Sequence, residues 1–287
     1  MVYALICYGK WNSKVHMSAA KISKSPRTDT VIRKFIFHDL QAIDGYIDPP
    51  DALVFLAILQ HQAASGLGGS VAEIGVYYGR SYFLFRRICG DEERIVAIDL
   101  FDIDEHTGGS EQYARFVENG RRLGLPVRED LVIKGDSTLL DPHALAAKAG
   151  PIRFFSIDGG HMLHHVASDS ALAAETLADH GIIAFDDTFN PTWPEVTVGV
   201  GDFLREQRGE FAVFCITKYK TYVCRRAFHA DYCAAIAASA DLSAFEHVET
   251  EFLGSKATRL ENPMRRRLVH QLLVRSGMGI FSERAYR

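Results

Sequence analysis

The sequence predicts an α/β fold built on a doubly wound, mostly parallel sheet. Three observations carry this. Short apolar runs recur along the middle of the chain, stretches of helical length separate them, and several of the runs end in an acidic residue. The runs are Val71–Ile74, Ile95–Ile98, Leu131–Ile133, Ile152–Ile157 and Ile182–Phe185. Each has the length of a strand buried on both faces. Between them lie candidate helices at Ser81–Ile88, Gly109–Arg122, His143–Ala149 and Val166–His180. Strand and helix alternating at this spacing make β-α-β units, whose right-handed crossovers leave few topologies.

The flanks follow the same logic. Pro49-Pro50-Asp51 starts a helix rich in Leu and Ile that ends near Ala64, and Gly66, Gly68 and Gly69 punctuate the chain after it. Phe211–Ile216 and Thr221–Arg225 read as an antiparallel hairpin joined by Lys218-Tyr219-Lys220. Ala234–Ala240 and Met264–Arg275 read as helices. Arg265-Arg266-Arg267 is expected to be a solvated helix face, with a phosphate contact as the sharper alternative.

Composition bounds the function. The chain has 287 residues, 47% hydrophobic and 24% charged, the balance of a globular protein and not of a disordered or collagen-like one. The longest apolar run, Ala52 to Leu59, is far short of a membrane span. A net charge of -4 provides no global attraction for nucleic acid. Five cysteines with no C-x-x-C pair suit reduced thiols, so a cytoplasmic location is expected. Seven Lys or Arg against one acid in the first 34 residues suggest a loosely ordered basic arm, with a transit-type leader as the alternative and Met17 as a second candidate start. No signal peptide is visible. The expected organisation is a basic arm over 1–48, a catalytic α/β domain over 49–226 and a helical appendage over 227–287.

The chemistry concentrates at the strand ends. Glu73-Ile74-Gly75-Val76-Tyr77-Tyr78-Gly79-Arg80-Ser81 places a Gly-x-x-x-Gly turn between the first strand and its helix. Glycine there permits positive φ and close approach of a ligand, and the helix start offers free amides. The spacing is neither the dinucleotide fingerprint nor a P-loop. Glu73 would repel a diphosphate and suit a cationic amino group. Asp99 ends the second strand, where open α/β sheets bind ligands, and suits a ribose diol. Asp136-Ser137 ends the third and could hold the edge of an adenine, an N-cap being the plainer role for Asp136.

Ile152–Ile157 runs into Asp158-Gly159-Gly160-His161, and the fifth strand ends in Asp186-Asp187. Adjacent strand residues face opposite ways, so both acids reach one centre only if the chain turns there, as Thr188-Phe189-Asn190-Pro191 permits. Asp158, Asp186 and Asp187 would then form an oxygen-rich cluster suited to Mg²⁺, Ca²⁺ or Mn²⁺. An imidazole titrates near neutrality, which makes His161 the candidate base. His164 and His165 leave a zinc pair as a lesser alternative to plain polar helix residues.

Taken together, E-I-G-x-x-x-G, the acid after the second strand, I-D-G-G-H and F-D-D resemble class I S-adenosylmethionine (SAM)-dependent methyltransferases. Within that class the likeness is to bacterial metal-dependent O-methyltransferases, typified by the macrolide-sugar enzymes and the cephalosporin-hydroxylase-like proteins, and it spans about Asp51 to Arg225. The resemblance implies a Rossmann-like, seven-stranded sheet closed by an antiparallel terminal hairpin. It implies SAM held by Glu73, Gly75, Tyr77, Gly79, Ser81, Asp99, Asp136, Ser137 and Asp158. It further implies Mg²⁺ or another hard cation on Asp158, Asp186 and Asp187, with His161 as general base. The family often has Glu where Asp186 stands, so the shorter arm could move the ion. The polar stretch from Leu100 to Gly120 reads as a lid or as part of the cofactor site.

The expected activity is methyl transfer to a hydroxyl of a small, carbohydrate-containing or polyol acceptor, with Trp193, Tyr77 and Tyr78 available to stack on it. A metal-dependent hydrolase using the same residues on water, or a non-catalytic SAM-binding module, is the alternative. Neither nucleic acid nor a membrane is an expected partner, and the arm and C-terminal helices leave a homo-oligomer open.

Overall fold

The computed structural model describes residues 29–101, 111–207 and 209–286. Most of the basic arm, with Met17, and residues 102–110 of the expected lid lie outside them.

The helix predicted after Pro49 is α2 (Pro49–Ala64), preceded by α1 (Asp29–Phe37). Two prolines in the first turn of α2 need no N–H partner, and the apolar residues all round it make it an interior helix. Then come β1 (Ser70–Ile74), α3 (Arg80–Cys89), β2 (Ile95–Asp99), α4 (Gln112–Arg122), β3 (Val132–Lys134), α5 (Pro142–Ala149), β4 (Ile152–Ile157), α6 (Leu163–Thr176) and β5 (Leu177–Phe185). The chain continues through α7 (Pro194–Glu206), β6 (Phe211–Ile216), β7 (Thr221–Arg225), α8 (His229–Ala238), β8 (Glu246–Phe252), β9 (Ser255–Glu261) and α9 (Met264–Arg275).

The sheet order is β3-β2-β1-β4-β5-β7-β6-β9-β8. Strands β1 to β5 are mutually parallel, and β7 runs antiparallel to β5 and β6. The α/β, doubly wound expectation and the terminal hairpin are both present. Two features differ from it. The segment after residue 226, expected to be helical, also contributes β8 and β9, and β9 pairs in parallel with β6, so the sheet has nine strands and not seven. A free β6 edge would expose a row of unpaired backbone groups, which β9 covers. The helix expected to reach His180 stops at Thr176, because Leu177 pairs with Ile152 and extends β5 backwards along β4.

One apolar cluster, including Phe55, Phe85, Phe154 and Tyr222, lies between the sheet and the α1, α2, α3 and α8 side. A second, including Ile74, Phe155, Leu172 and Val200, lies on the α5, α6 and α7 side. Burial on both faces explains the continuous apolar runs of the central strands. The parallel strands deliver their carboxyl ends to one edge, and the order 3-2-1-4-5 reverses direction between β1 and β4, where such sheets open a crevice.

Candidate active site

At that reversal the chains after β1 and β4 touch. Gly75 has φ of +81°, and a Cβ there would lie 1.7 Å from the Asp158 carbonyl oxygen. The Asp158 N–H donates to the Ile74 carbonyl at 2.9 Å. The glycine turn and the Asp-Gly-Gly-His stretch are therefore one construction, and only a residue without Cβ allows it. The next two glycines serve close packing as well. A Cβ on Gly159 would meet Asp169 Oδ2 at 2.8 Å, and one on Gly160 would meet His165 Nδ1 at 2.3 Å. His165 thus packs beneath the loop.

On the β1 side, Asp99 ties the turn together. Its carboxylate accepts the Tyr77 N–H at 2.8 Å, the Phe101 N–H at 2.7 Å and the Gln112 side-chain amide at 3.2 Å. Burial raises its pKa, and the backbone donors offset part of that. Tyr77 holds φ of +52° to present its N–H. Glu73 points inward: it is completely buried and neither oxygen has a full hydrogen-bond partner. Burial pushes its pKa up to about 8, with the Ser81 hydroxyl and Lys220 acting in the opposite direction. Tyr78 is fully buried beside Tyr77 and accepts a hydrogen bond from Arg115 at 2.7 Å, so it is a core residue and no platform for an acceptor.

Asp136 and Ser137 lie beyond β3. Asp136 caps the following turn, accepting from the Thr138 N–H at 2.9 Å and the Thr138 hydroxyl at 2.7 Å, which is the plainer of its two expected roles.

On the β4 and β5 side, single ligand atoms of Asp158, His161 and Asp187 lie within 4.8 Å of one another. The turn after Phe185 that this requires is real, because Asp187 takes φ of +54°. His161 Nε2 is 3.2 Å from Asp187 Oδ2, and Asn190 donates to Asp187 Oδ1 at 2.7 Å. Burial opposes the charge on Asp187, but these two hydrogen bonds together with nearby positive charge, Lys220 included, outweigh it and hold its pKa below the usual range. Asp158 is driven well above the usual range by burial and then by the charge of Asp186, against Lys220. A cavity of about 10 Å³ lies beside this group, lined by Asp158, His161 and Asp186 together with the apolar Ile157, Val166, Phe185 and Val196, and Asp187 is not part of its wall. Among the described residues this metal-competent group does not include His164 or His165.

Asp186 is engaged differently from its expected role as a third ligand. Its Oδ2 pairs with Lys220 Nζ at 2.6 Å, and its Oδ1 accepts the Asp187 N–H at 2.9 Å. Lys220 is buried and comes from the β6–β7 turn, which the sequence marked only as a hairpin connection. Asp51, read there only as a helix start, accepts from the Thr217 hydroxyl at 2.5 Å and from the Tyr222 hydroxyl at 2.8 Å, and lies within the field of Lys220. Trp193 stacks on His161, ring centroids 4.2 Å apart and planes 12° from parallel. A lysine in a turn and a tryptophan in a loop carry no signal of these partners.

Residues 72–188 match a family model described as a methyltransferase domain. No curated protein sequence matches the chain. Among solved structures, the chain is similar to the O-methyltransferase NovP, with 16% identity over 60% of this chain and 78% of that one and a TM-score of 0.49. It is similar to CalS11, a TDP-rhamnose 3'-O-methyltransferase of calicheamicin biosynthesis, with 18% identity, 71% and 96% coverage and a TM-score of 0.46. It is also similar to the methyltransferase PaMTH1 of Podospora anserina, with 13% identity, 71% and 99% coverage and a TM-score of 0.44. The glycine turn, the acid after β2 and the Asp-Gly-Gly-His stretch all fall inside the matched segment.

Proposed function

We propose that the protein is a SAM-dependent O-methyltransferase that uses a hard divalent cation, Mg²⁺ in the first instance, on a small acceptor with neighbouring hydroxyls of the sugar or polyol kind. The observation that carries this reading is the meeting of Asp158, His161 and Asp187 beside the Gly75 turn of a methyltransferase domain.

The residues fit both groups. The orphaned carboxylate of Glu73 beneath the turn is what a cationic amino group would compensate, and Asp99, although both its oxygens already accept from the turn, ends β2 at the edge where such sheets bind a ribose. Two carboxylates, Asp158 and Asp187, with ligand atoms within 4.8 Å of each other and of an imidazole nitrogen, suit a hard cation. When bound, SAM supplies the methyl group and the cation supplies Lewis acidity toward the acceptor hydroxyl.

The chain's own residues do the rest. Asp158 and Asp187 hold the cation, and Asp186 is withheld by Lys220. With Nε2 donating to Asp187, Nδ1 of His161 is the nitrogen that accepts the acceptor's proton. The Trp193 face keeps the imidazole from rotating, so the base needs no search for its geometry. A second reading, His161 as third ligand, is favoured by the same 4.8 Å cluster.

The test combines binding and turnover. SAM is expected to raise the unfolding temperature, and His161→Ala to keep SAM and Mn²⁺ binding while losing about 10²–10⁴ in kcat on a panel of glycosylated acceptors. Retained turnover removes the base assignment, and lost Mn²⁺ binding turns His161 into a ligand.

A further inference from the structure

The β6–β7 turn that brings Lys220 into the carboxylate cluster also walls a second cavity, of about 150 Å³, roughly ten times the room one water needs. Asp48 before α2, Lys218 of the turn, Asn262 after β9, Arg267 and His270 of α9 and Tyr286 line it.

Many arginines elsewhere have an acceptor, either a carboxylate, as Arg33 with Asp241 and Glu283 and Arg153 with Glu93, or a carbonyl, as Arg80 with Gly45 and Arg226 with Gly209. Among the described residues, Lys218, Arg267 and the neighbouring Arg266 have no carboxylate partner. Of the lining residues, His270 Nδ1, which can donate, and Asn262 Oδ1, which can only accept, are buried without a partner. Asn262 spends its amide on the Tyr286 hydroxyl at 3.0 Å. Asp48 is the one acid in the lining, which disfavours a cation as occupant. Two cations without a carboxylate, Arg267 and Lys218 (the latter over the Tyr219 ring), and the orphaned His270 Nδ1 around a space this size are what an oxyanion satisfies, arginine through its fork and lysine as a point charge.

We propose that this cavity binds a phosphate-class oxyanion, the phosphate or diphosphate group of a small molecule, with Lys218 and Arg267 as its charge partners and His270 as a neutral donor. The inference does not depend on methyl transfer. It does place the anion close to the cluster, because the Tyr219 carbonyl accepts the Thr188 N–H at 2.8 Å, one residue after Asp187.

Calorimetry on the full chain in the presence of a chelator tests it, with inorganic pyrophosphate as probe. Saturable binding is expected, weakened about tenfold by Arg267→Gln and by Lys218→Gln, both at accessible positions, and tightened by Asp48→Asn. His161→Ala is expected to leave it within about twofold. A nucleoside diphosphate that binds tighter than pyrophosphate supports the site and assigns it to a nucleotide, while equal binding supports it as a site for the free anion. No saturable binding into the millimolar range overturns the proposal, as does equal affinity in both charge variants or loss of binding in His161→Ala.

Discussion

Lys220 Nζ lies 2.6 Å from Asp186 Oδ2, with both side chains largely shielded from solvent, and Asp158 and Asp51 feel the same ammonium. One buried cation therefore serves three acids. Burial opposes its charge, but the three carboxylates outweigh that and raise its pKa. With Asp186 engaged by Lys220, the proposed cation would have two carboxylates, Asp158 and Asp187, to hold it.

Lys220→Met is expected to destabilise the metal-free protein by about 3–5 kcal/mol, because it strands buried carboxylates without a counter-charge. Urea unfolding at neutral pH measures this. Adding Asp186→Asn should recover a substantial part of the loss, since it removes the stranded charge.

Metal binding should separate the three acids. Asp158→Asn and Asp187→Asn are each expected to weaken Mn²⁺ binding, followed by electron paramagnetic resonance, about tenfold or more. Asp186→Asn should have a clearly smaller effect. Equal losses in all three would return Asp186 to the ligand set. Chelation should abolish turnover and added Mg²⁺ restore it.

Glu73 makes stability depend on pH in a defined direction. Its pKa is about 8 in the fold against an ordinary value of 4.5, so between those values the native state holds more protons than the unfolded chain. Stability then falls as pH rises through that window and levels off above about pH 8. In the ligand-free protein, Glu73→Gln should flatten this slope, which urea unfolding from pH 5 to 9 would show. An unchanged slope would mean that Glu73 is ionised throughout.

Gly75→Ala should destabilise by about 3 kcal/mol or more, combining positive φ with a clash against backbone that cannot move aside. Unfolding titrations should show this loss without ligand, which distinguishes a structural glycine from one that only makes room for a cofactor.

Much of the fold was legible in the sequence because burial on both faces leaves a continuous apolar run, and the terminal hairpin pair was read at its true limits. Strands β8 and β9 were not, because an edge hairpin that is half exposed alternates weakly and mixes Glu, His, Thr and Lys. Helix α7 differs, because its buried Val196, Val200, Phe203 and Leu204 fall at i, i+4, i+7 and i+8, a helical period that the sequence does carry.

Within the site, the sequence by itself determined which acids end which strands, that glycines follow β1 and β4, and that an imidazole stands three residues beyond Asp158. Those facts are local, because a parallel sheet sends every carboxyl end to one edge. Only the tertiary structure decided how the charges are shared. Asp158 and Asp187 meet His161, Asp186 turns to a lysine from a distant hairpin, Glu73 faces inward and Asp136 caps its own turn. A carboxylate's role depends on what lies within about 4 Å of it and on how much water it has lost. Chain folding sets both, and no spacing along the sequence encodes either.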